Sequence, residues 1–309
     1  RFSLGRSKTG HRLEKLAAKP FPQRCGLATA MKLEILIPTL NRSSFLLSNL
    51  RQLAQQIQAG GLHSQVALIV SDNASNDDTA QMLARFAGDH SELHFQFSSH
   101  PQNMGLEANA LSLLERASAD YILWLGDDDY LPEGYLAFCL DTLAGRAGLG
   151  CIIPGLGTLY KDGTFTPARL EEFQVRFYEP GFETMRQLGH FGHQMSGLVL
   201  RREGLLERYL AMPALRNIYL FVFFVLQRCL DSGVCYCPFL KVKVNVENPK
   251  YWSYDELGLL NEVFKSYRAF AVQLGEGKTE ELILEFTRQH SWRLGLDPKA
   301  PVRSLVRCL

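Results

Sequence analysis

The sequence predicts an α/β protein: a mostly parallel central sheet with helices on both faces. Three observations predict it. From residue 32 to residue 144, apolar runs and amphipathic stretches alternate about every thirty residues, the pattern of βαβ units. The second run, "QVALIVS", is apolar enough for a strand buried on both faces. Unusual polar content collects just after the runs, in "PTLNRSS", "SDNASNDD" and "GDDDYLP". In such sheets ligands bind beyond the carboxyl ends of the strands, near a topological switch point, so the three loops should share one edge.

Each element has its own warrant. "KLEILIP" (32–38) reads as a strand stopped by Pro38, and "NRSSFLLSNLRQLAQQIQ" (41–58) as a helix capped by Asn41 or Ser43 and ended by Gly60-Gly61. "QVALIVS" (65–71) is the second strand. In the loop and helix that follow, Asn76 is a candidate cap, with Asp77 and Asp78 in the first turn. "LHFQF" (93–97) alternates as a strand, "GLEANALSLLERA" (105–117) has a helical apolar face, and "DYILWL" (120–125) is a fourth strand. Pro132 is expected to open the next helix at its first position. Further on, "TLYKDGTFTP" (158–167) reads as a hairpin with a type I′ turn at Asp162-Gly163. "SGLVLRR" (196–202) and "YCPFLKVKVNV" (236–246) read as strands, "NIYLFVFFVLQRCL" (217–230) as a buried helix, and roughly 253–273 and 278–294 as closing helices. The expected organisation is an N-terminal extension (1–30) without order, one domain at 31–250 with halves at 31–145 and 146–250, and a helical C-terminal appendage at 251–309.

With 33 basic and 32 acidic residues the chain has no whole-molecule pull toward nucleic acid, so ionic function must come from local placement. Seven scattered cysteines, without a CxxC, point to reduced thiols in a cytoplasmic protein. The most apolar run, "IYLFVFFVL", is far short of the ~20 residues needed to cross a bilayer.

The chemistry starts at Asp127, Asp128 and Asp129. Three adjacent carboxylates repel by about 1 kcal/mol per pair in water at ~4 Å, and by more where water is excluded. A solvated acidic turn relieves this; so does a hard divalent cation. No Walker A motif or complete GxGxxG occurs, and the first strand carries no aspartate nucleophile.

"ILIPTLNR", "IVSDNASNDDT" and "PQNMGLEANALSLLERASADYILWLGDDD" together resemble the inverting family 2 glycosyltransferases of the GT-A fold. The "LGDDDYL" form is most similar to bacterial transferases that build O-antigen and other surface polysaccharides. The resemblance implies that Pro38, Thr39 and Asn41 lie beside a nucleotide-sugar donor and that Asp72 meets its base. It implies that Asn103, Gly105 and Asn109 lie near ribose and diphosphate. Asp127 and Asp128 look like the ribose and metal members of a DxD-type motif, with Asp129 as the other metal candidate and Mn2+ or Mg2+ as the ion. Asp72 as an Asx-turn residue and Asn109 as a polar residue satisfied by a neighbouring loop are the plain alternatives.

The implied reaction is a single displacement with inversion onto a glycan or lipid-linked glycan hydroxyl, with peripheral contact at the inner membrane face as an option. The family's usual acidic pair is not evident in the second half. Candidate bases are His193, on the loop expected to face the donor, then Glu183 and His190, with Asp231 more distant; each also reads as an ordinary polar residue. Arg201 and Arg202 could meet an acceptor diphosphate or simply be solvated. Two other classes stay open: a non-catalytic nucleotide-sugar-binding protein on the same fold, and a sugar nucleotidyltransferase. The latter should carry a glycine-rich basic loop after the first strand, which "PTLNRSSF" is not.

Overall fold

The structure, a computed structural model, describes residues 32–167, 173–248 and 256–291. The first half alternates as expected: β1 (Leu33–Thr39), α1 (Ser43–Ala59), β2 (Val66–Asp72), α2 (Thr79–Asp89), β3 (His94–Ser99), α3 (Gly105–Arg116), β4 (Tyr121–Trp124) and α4 (Tyr135–Gly145). The second half carries β5 (Leu149–Leu159), β6 (Phe165–Pro167), β7 (Arg176–Tyr178), α5 (Phe182–Leu188) and a 3-10 turn at Gly189–His193. It continues with β8 (Val199–Arg201), α6 (Leu205–Leu210), α7 (Leu220–Asp231) and β9 (Gly233–Asn245). Helices α8 (Glu256–Arg268), α9 (Ala271–Leu274) and α10 (Glu276–Gln289) follow.

The strands form one sheet in the order β3-β2-β1-β4-β8-β5-β9-β7, with β6 hairpinned onto β5. The first four are parallel. Strand β8 enters antiparallel between β4 and β5, so β4 and β5 point the same way, and β9 runs parallel to β5. The carboxyl ends of β1, β2 and β4 therefore share one edge.

Successive β1 residues feed opposite cores, which is why its run is apolar from Ile35 to Pro38; the buried Glu34 before it accepts from Ser118 and Ala119. Leu33, Ile35 and Ile37 pack with α1, α2 and α4, while Leu36 packs with α3 and α7. Helix α7 is buried from Leu220 to Cys229, as its all-round apolar surface requires. Trp124 of β4 meets Phe221 edge-on at 5.0 Å and stacks with Phe224 at 6.5 Å. Leu260, Val263 and Tyr267 of α8 and Leu282 and Phe286 of α10 join that same core. The expected extension at 1–30 and the boundary at 250 lie outside the described residues.

Several local expectations need correction. Pro38 lies inside β1, opposite Ser71, rather than stopping it. The Thr39 carbonyl accepts from Asn73 and the Leu36 carbonyl from Leu125, so by alternation Pro38 faces the β4 side, where the ladder has already ended. Pro132 precedes α4 by three residues, and the helix starts after Gly134, whose φ of +78° only glycine adopts readily. The hairpin after β5 is present, but Gly163 alone turns left-handed and its N–H reaches the Tyr160 carbonyl at 2.9 Å. That makes a three-residue loop instead of a type I′ turn. Neither Asn41 nor Ser43 caps α1, whose N-cap is Arg42 without a side-chain cap bond, and Asn76 does not cap α2, which begins at Thr79. Asp77 serves both helix starts, accepting the Ser43 N–H at 3.2 Å and the Thr79 N–H at 3.1 Å.

Candidate active site

The acidic turn leaves β4 through Gly126. A Cβ there would lie 2.9 Å from Asp129 Oδ2 and 3.2 Å from Ser196 Oγ, so only glycine lets the turn close this tightly. The three aspartates are 5%, 8% and 5% exposed, which removes the solvated acidic turn as an account of them. Each carboxylate has its own set of partners, with Arg42 shared by the first two. Asp127 accepts from the Thr39 hydroxyl at 2.8 Å and from Arg42 Nη1 at 3.1 Å. Asp128 Oδ2 accepts from Arg42 Nη2 at 2.6 Å and from the Asn248 amide at 2.9 Å. Asp129 accepts from the Ser196 hydroxyl, from the Asn245 N–H at 3.0 Å and, more weakly, from Gln194 Nε2 at 3.4 Å.

The backbone of the turn is held as firmly. Asn49, on the buried face of α1, donates to the carbonyls of Gly126 at 2.9 Å and Asp129 at 2.6 Å. Tyr130 and Lys243 exchange two backbone bonds at 2.9 Å, and the Asn245 amide donates to the Asp128 carbonyl. The Tyr135 hydroxyl donates to the Gly197 carbonyl at 2.6 Å, fixing the loop that presents Ser196.

Burial, the largest effect, pushes the Asp127 carboxyl well above the usual range; Arg42 opposes it and Asp128 adds to it. Burial likewise pushes Asp129 up to about 7, with Asp128 adding and the Ser196 and Asn245 hydrogen bonds opposing. Burial also raises the Asp77 carboxyl, but hydrogen bonds from Thr79 and Ser43 outweigh it and hold that group below the ordinary value.

The other expected residues gather beside this turn. Asp72 is buried at the end of β2, and its Oδ1 accepts the N–H of Ser75, three residues on, at 3.0 Å, one residue beyond the reach of an Asx-turn. Asn41, at φ +55°, ties the first loop to the second: its N–H donates to Ser75 Oγ at 2.7 Å and its Oδ1 accepts from Asn76 at 2.7 Å. Asn103 Oδ1 accepts from Asn73 at 2.8 Å and from the Gly105 N–H at 2.9 Å, joining the second loop to the start of α3. Asn109 donates to the Ser71 carbonyl at 3.1 Å, while its buried Oδ1 has no hydrogen-bond partner among the described residues.

The base candidates separate. His193 stands just before Gln194 and Ser196, whose side chains touch Asp129. Its Nδ1 is 2.8 Å from the His190 carbonyl and 3.1 Å from Nε2 of His290, the residue that caps the end of α10. Glu183 is placed elsewhere. Strand β7, antiparallel to β9, delivers the chain to the opposite edge of the sheet, where α5 begins. There Glu183 is exposed and paired with Arg186 at 2.6 Å, and that contact together with Gln187 pulls its carboxyl down to about 2, unsuited to taking a proton near neutrality. Asp231 is also at that far edge, bound by Arg208 at 2.9 Å and Arg228 at 3.2 Å. Because β8 is antiparallel to β4, with Arg201 opposite Tyr121, the Arg201–Arg202 pair lies at the wrong edge to meet a ligand at the acidic turn.

A hard cation fits one place. Asp128 Oδ1 has no hydrogen-bond partner among the described residues, and its side chain is 11% exposed. Asp129, expected as a second ligand, instead has its two oxygens on donors from the second half. Among the described residues no group of three or more His, Cys, Asp or Glu could hold a metal ion. A cation on Asp128 would take its remaining oxygens from a bound ligand and water, as Mg2+ and Mn2+ commonly do with phosphates. Sequence reasoning missed Arg42, Asn49, Ser196, Asn245 and Asn248. Asn49, a polar residue on the Leu46–Leu50–Leu53 stripe, carried a visible signal.

A parallel sheet with an acidic turn on the carboxyl edge, clamped by the first loop, defines a class of sugar-nucleotide transferase, and the chain belongs to glycosyl transferase family 2, whose sequence profile matches residues 34–205. The chain is 28% identical over 138 residues to the GalNAc(5)-diNAcBac-PP-undecaprenol beta-1,3-glucosyltransferase of Campylobacter jejuni subsp. jejuni serotype O:2. The match covers 42% of this chain and 41% of that relative, less than half of either. Its fold is shared with S. aureus TarS 1–349 in complex with UDP-GlcNAc (TM-score 0.66, 13% identity, 90% of this chain and 79% of that one). It is also shared with the mannosyltransferase PcManGT of Pyrobaculum calidifontis, in complex with GDP-Man and Mn2+ (TM-score 0.60, 15% identity, 90% and 74%). These neighbours place the chain in the GT-A fold. Among the described residues no helix is long and apolar enough to cross a membrane.

Proposed function

We propose that the protein transfers a sugar from a nucleotide-sugar donor to a hydroxyl of a glycan or lipid-linked glycan, by single displacement with inversion, in the cytoplasmic assembly of a cell-surface polysaccharide. One observation carries this proposal: although Asp127 and Asp128 share Arg42, the partners of the three aspartates leave Asp128 Oδ1 open at the edge where the loops of Thr39, Asp72 and Asn103 converge. Asp127, tied to Thr39, is assigned to the donor ribose. Asp72 is assigned to the base, and Asn103, Gly105 and Asn109 to the ribose and diphosphate. Asp128 would hold Mn2+ or Mg2+. That ion, when bound, supplies positive charge to the departing diphosphate.

Asp129 is a positioning residue that fixes the turn to Ser196 and Asn245. His193 is assigned as the base. With Nδ1 turned to the His190 carbonyl and His290, Nε2 is the ring nitrogen assigned to the acceptor proton. The polyprenyl diphosphate in the Campylobacter relative's name supports a lipid-linked acceptor and contact with a membrane surface.

The test is release of nucleoside diphosphate from a panel of UDP-, GDP- and dTDP-sugars, with Mn2+, Mg2+ or EDTA, using extracted lipid-linked glycans as acceptors. Metal-dependent release from one donor class supports the proposal. Tight donor binding without turnover would move the protein to the non-catalytic binding class.

A further inference from the structure

Arg42 is only 6% exposed, and its guanidinium forks across two neighbouring carboxylates, Asp127 at 3.1 Å and Asp128 at 2.6 Å. The Phe45 ring lies 5.4 Å from the guanidinium carbon. The preceding left-handed Asn41 and the φ of −142° at Arg42 itself turn the side chain back over the acidic turn before α1 begins. A buried guanidinium needs anionic partners, and paired buried carboxylates need a cation. Arg42 meets both needs from within the chain. With Arg42 in place, the group it forms with Asp127 and Asp128 carries a formal charge of −1 rather than −2. A divalent ion arriving at Asp128 would meet that guanidinium at close range, and like charges repel strongly where water is excluded.

We propose that Arg42 is a resident counter-cation of the acidic turn, one that competes with a divalent ion for Asp128 and gives that carboxylate up when the ion binds. The proposal rests on the assignment of Asp128 to metal binding. It adds that the protein holds the metal weakly by itself, so that cation and nucleotide load together.

The test uses Mn2+ alone, without nucleotide, with free Mn2+ followed by electron paramagnetic resonance for the wild type, Arg42→Met and Arg42→Lys. Arg42→Met should bind Mn2+ at least tenfold more tightly than the wild type, and Arg42→Lys, which keeps the charge but not the fork, should fall between them. Circular dichroism and melting report whether each variant is folded; if Arg42→Met is not, Arg42→Gln, also uncharged, makes the same comparison. A folded, uncharged variant that binds Mn2+ no more tightly than the wild type, or not at all, overturns the proposal. Wild-type Mn2+ binding in the presence of UDP or GDP is measured in parallel. Its absence would count against the metal–nucleotide assignment itself, separately from the Arg42 result.

Discussion

Asn245 donates its backbone N–H to the Asp129 carboxylate at 3.0 Å, across 116 residues of sequence. With the Ser196 hydroxyl on the other oxygen, Asp129 joins the acidic turn to the second half of the sheet. Asp129→Ala strands both donors, and a buried donor left unpaired costs about 1–3 kcal/mol. The urea midpoint of Asp129→Ala should fall accordingly. Asp128→Ala should stay within about 1 kcal/mol of the wild type, because it also removes like-charge repulsion. Equal losses in the two variants would contradict this assignment.

Asp129 also sets a pH dependence in metal-free protein. Its carboxyl titrates near 7 when folded, against an ordinary value of 3.8. Between those values the folded chain keeps a proton that the unfolded chain has released, so its contribution makes stability fall as pH rises from about 4 to about 7, then level off. In EDTA, the drop in urea midpoint between pH 5 and pH 7.5 should be smaller in Asp129→Asn than in the wild type. Parallel curves would remove Asp129 as the cause.

At the far edge, Arg228 is buried on α7, donating to the Arg201 carbonyl at 2.9 Å and to the Glu203 carbonyl, and pairing with Asp231. Arg228→Ala leaves those acceptors facing a cavity and should destabilise by about 2–4 kcal/mol. Nucleotide affinity per folded molecule, measured by calorimetry, should stay near the wild-type value, because the residue lies across the sheet from the acidic turn.

The parallel half of the fold was legible because strands buried on both faces are mostly apolar, and β1, β2 and β4 are, apart from Glu34 and the polar residues at the carboxyl ends of β1 and β2. The convergence of the three polar loops was legible for the same reason, since parallel strands bring their carboxyl ends to one edge. Less legible was how three aspartates divide their roles. The residues that decide it, Ser196, Asn245 and Asn248, arrive from 67 to 120 residues away through β8 and β9. Glu183 misled because sequence distance from the donor half says nothing about which edge of the sheet a helix starts from. Pro132 misled because the helix waited for the left-handed Gly134.

The central claim is that Asp128 connects a cation to the nucleotide. Calorimetric affinity of the preferred nucleoside diphosphate, in Mn2+ and in EDTA, for the wild type and Asp128→Ala, tests it most directly. Removing either the ion or the carboxylate should weaken binding at least tenfold, and removing both should cost little more than removing one, since both act through a single contact. Unchanged affinity in Asp128→Ala, or losses that simply add, would contradict the claim.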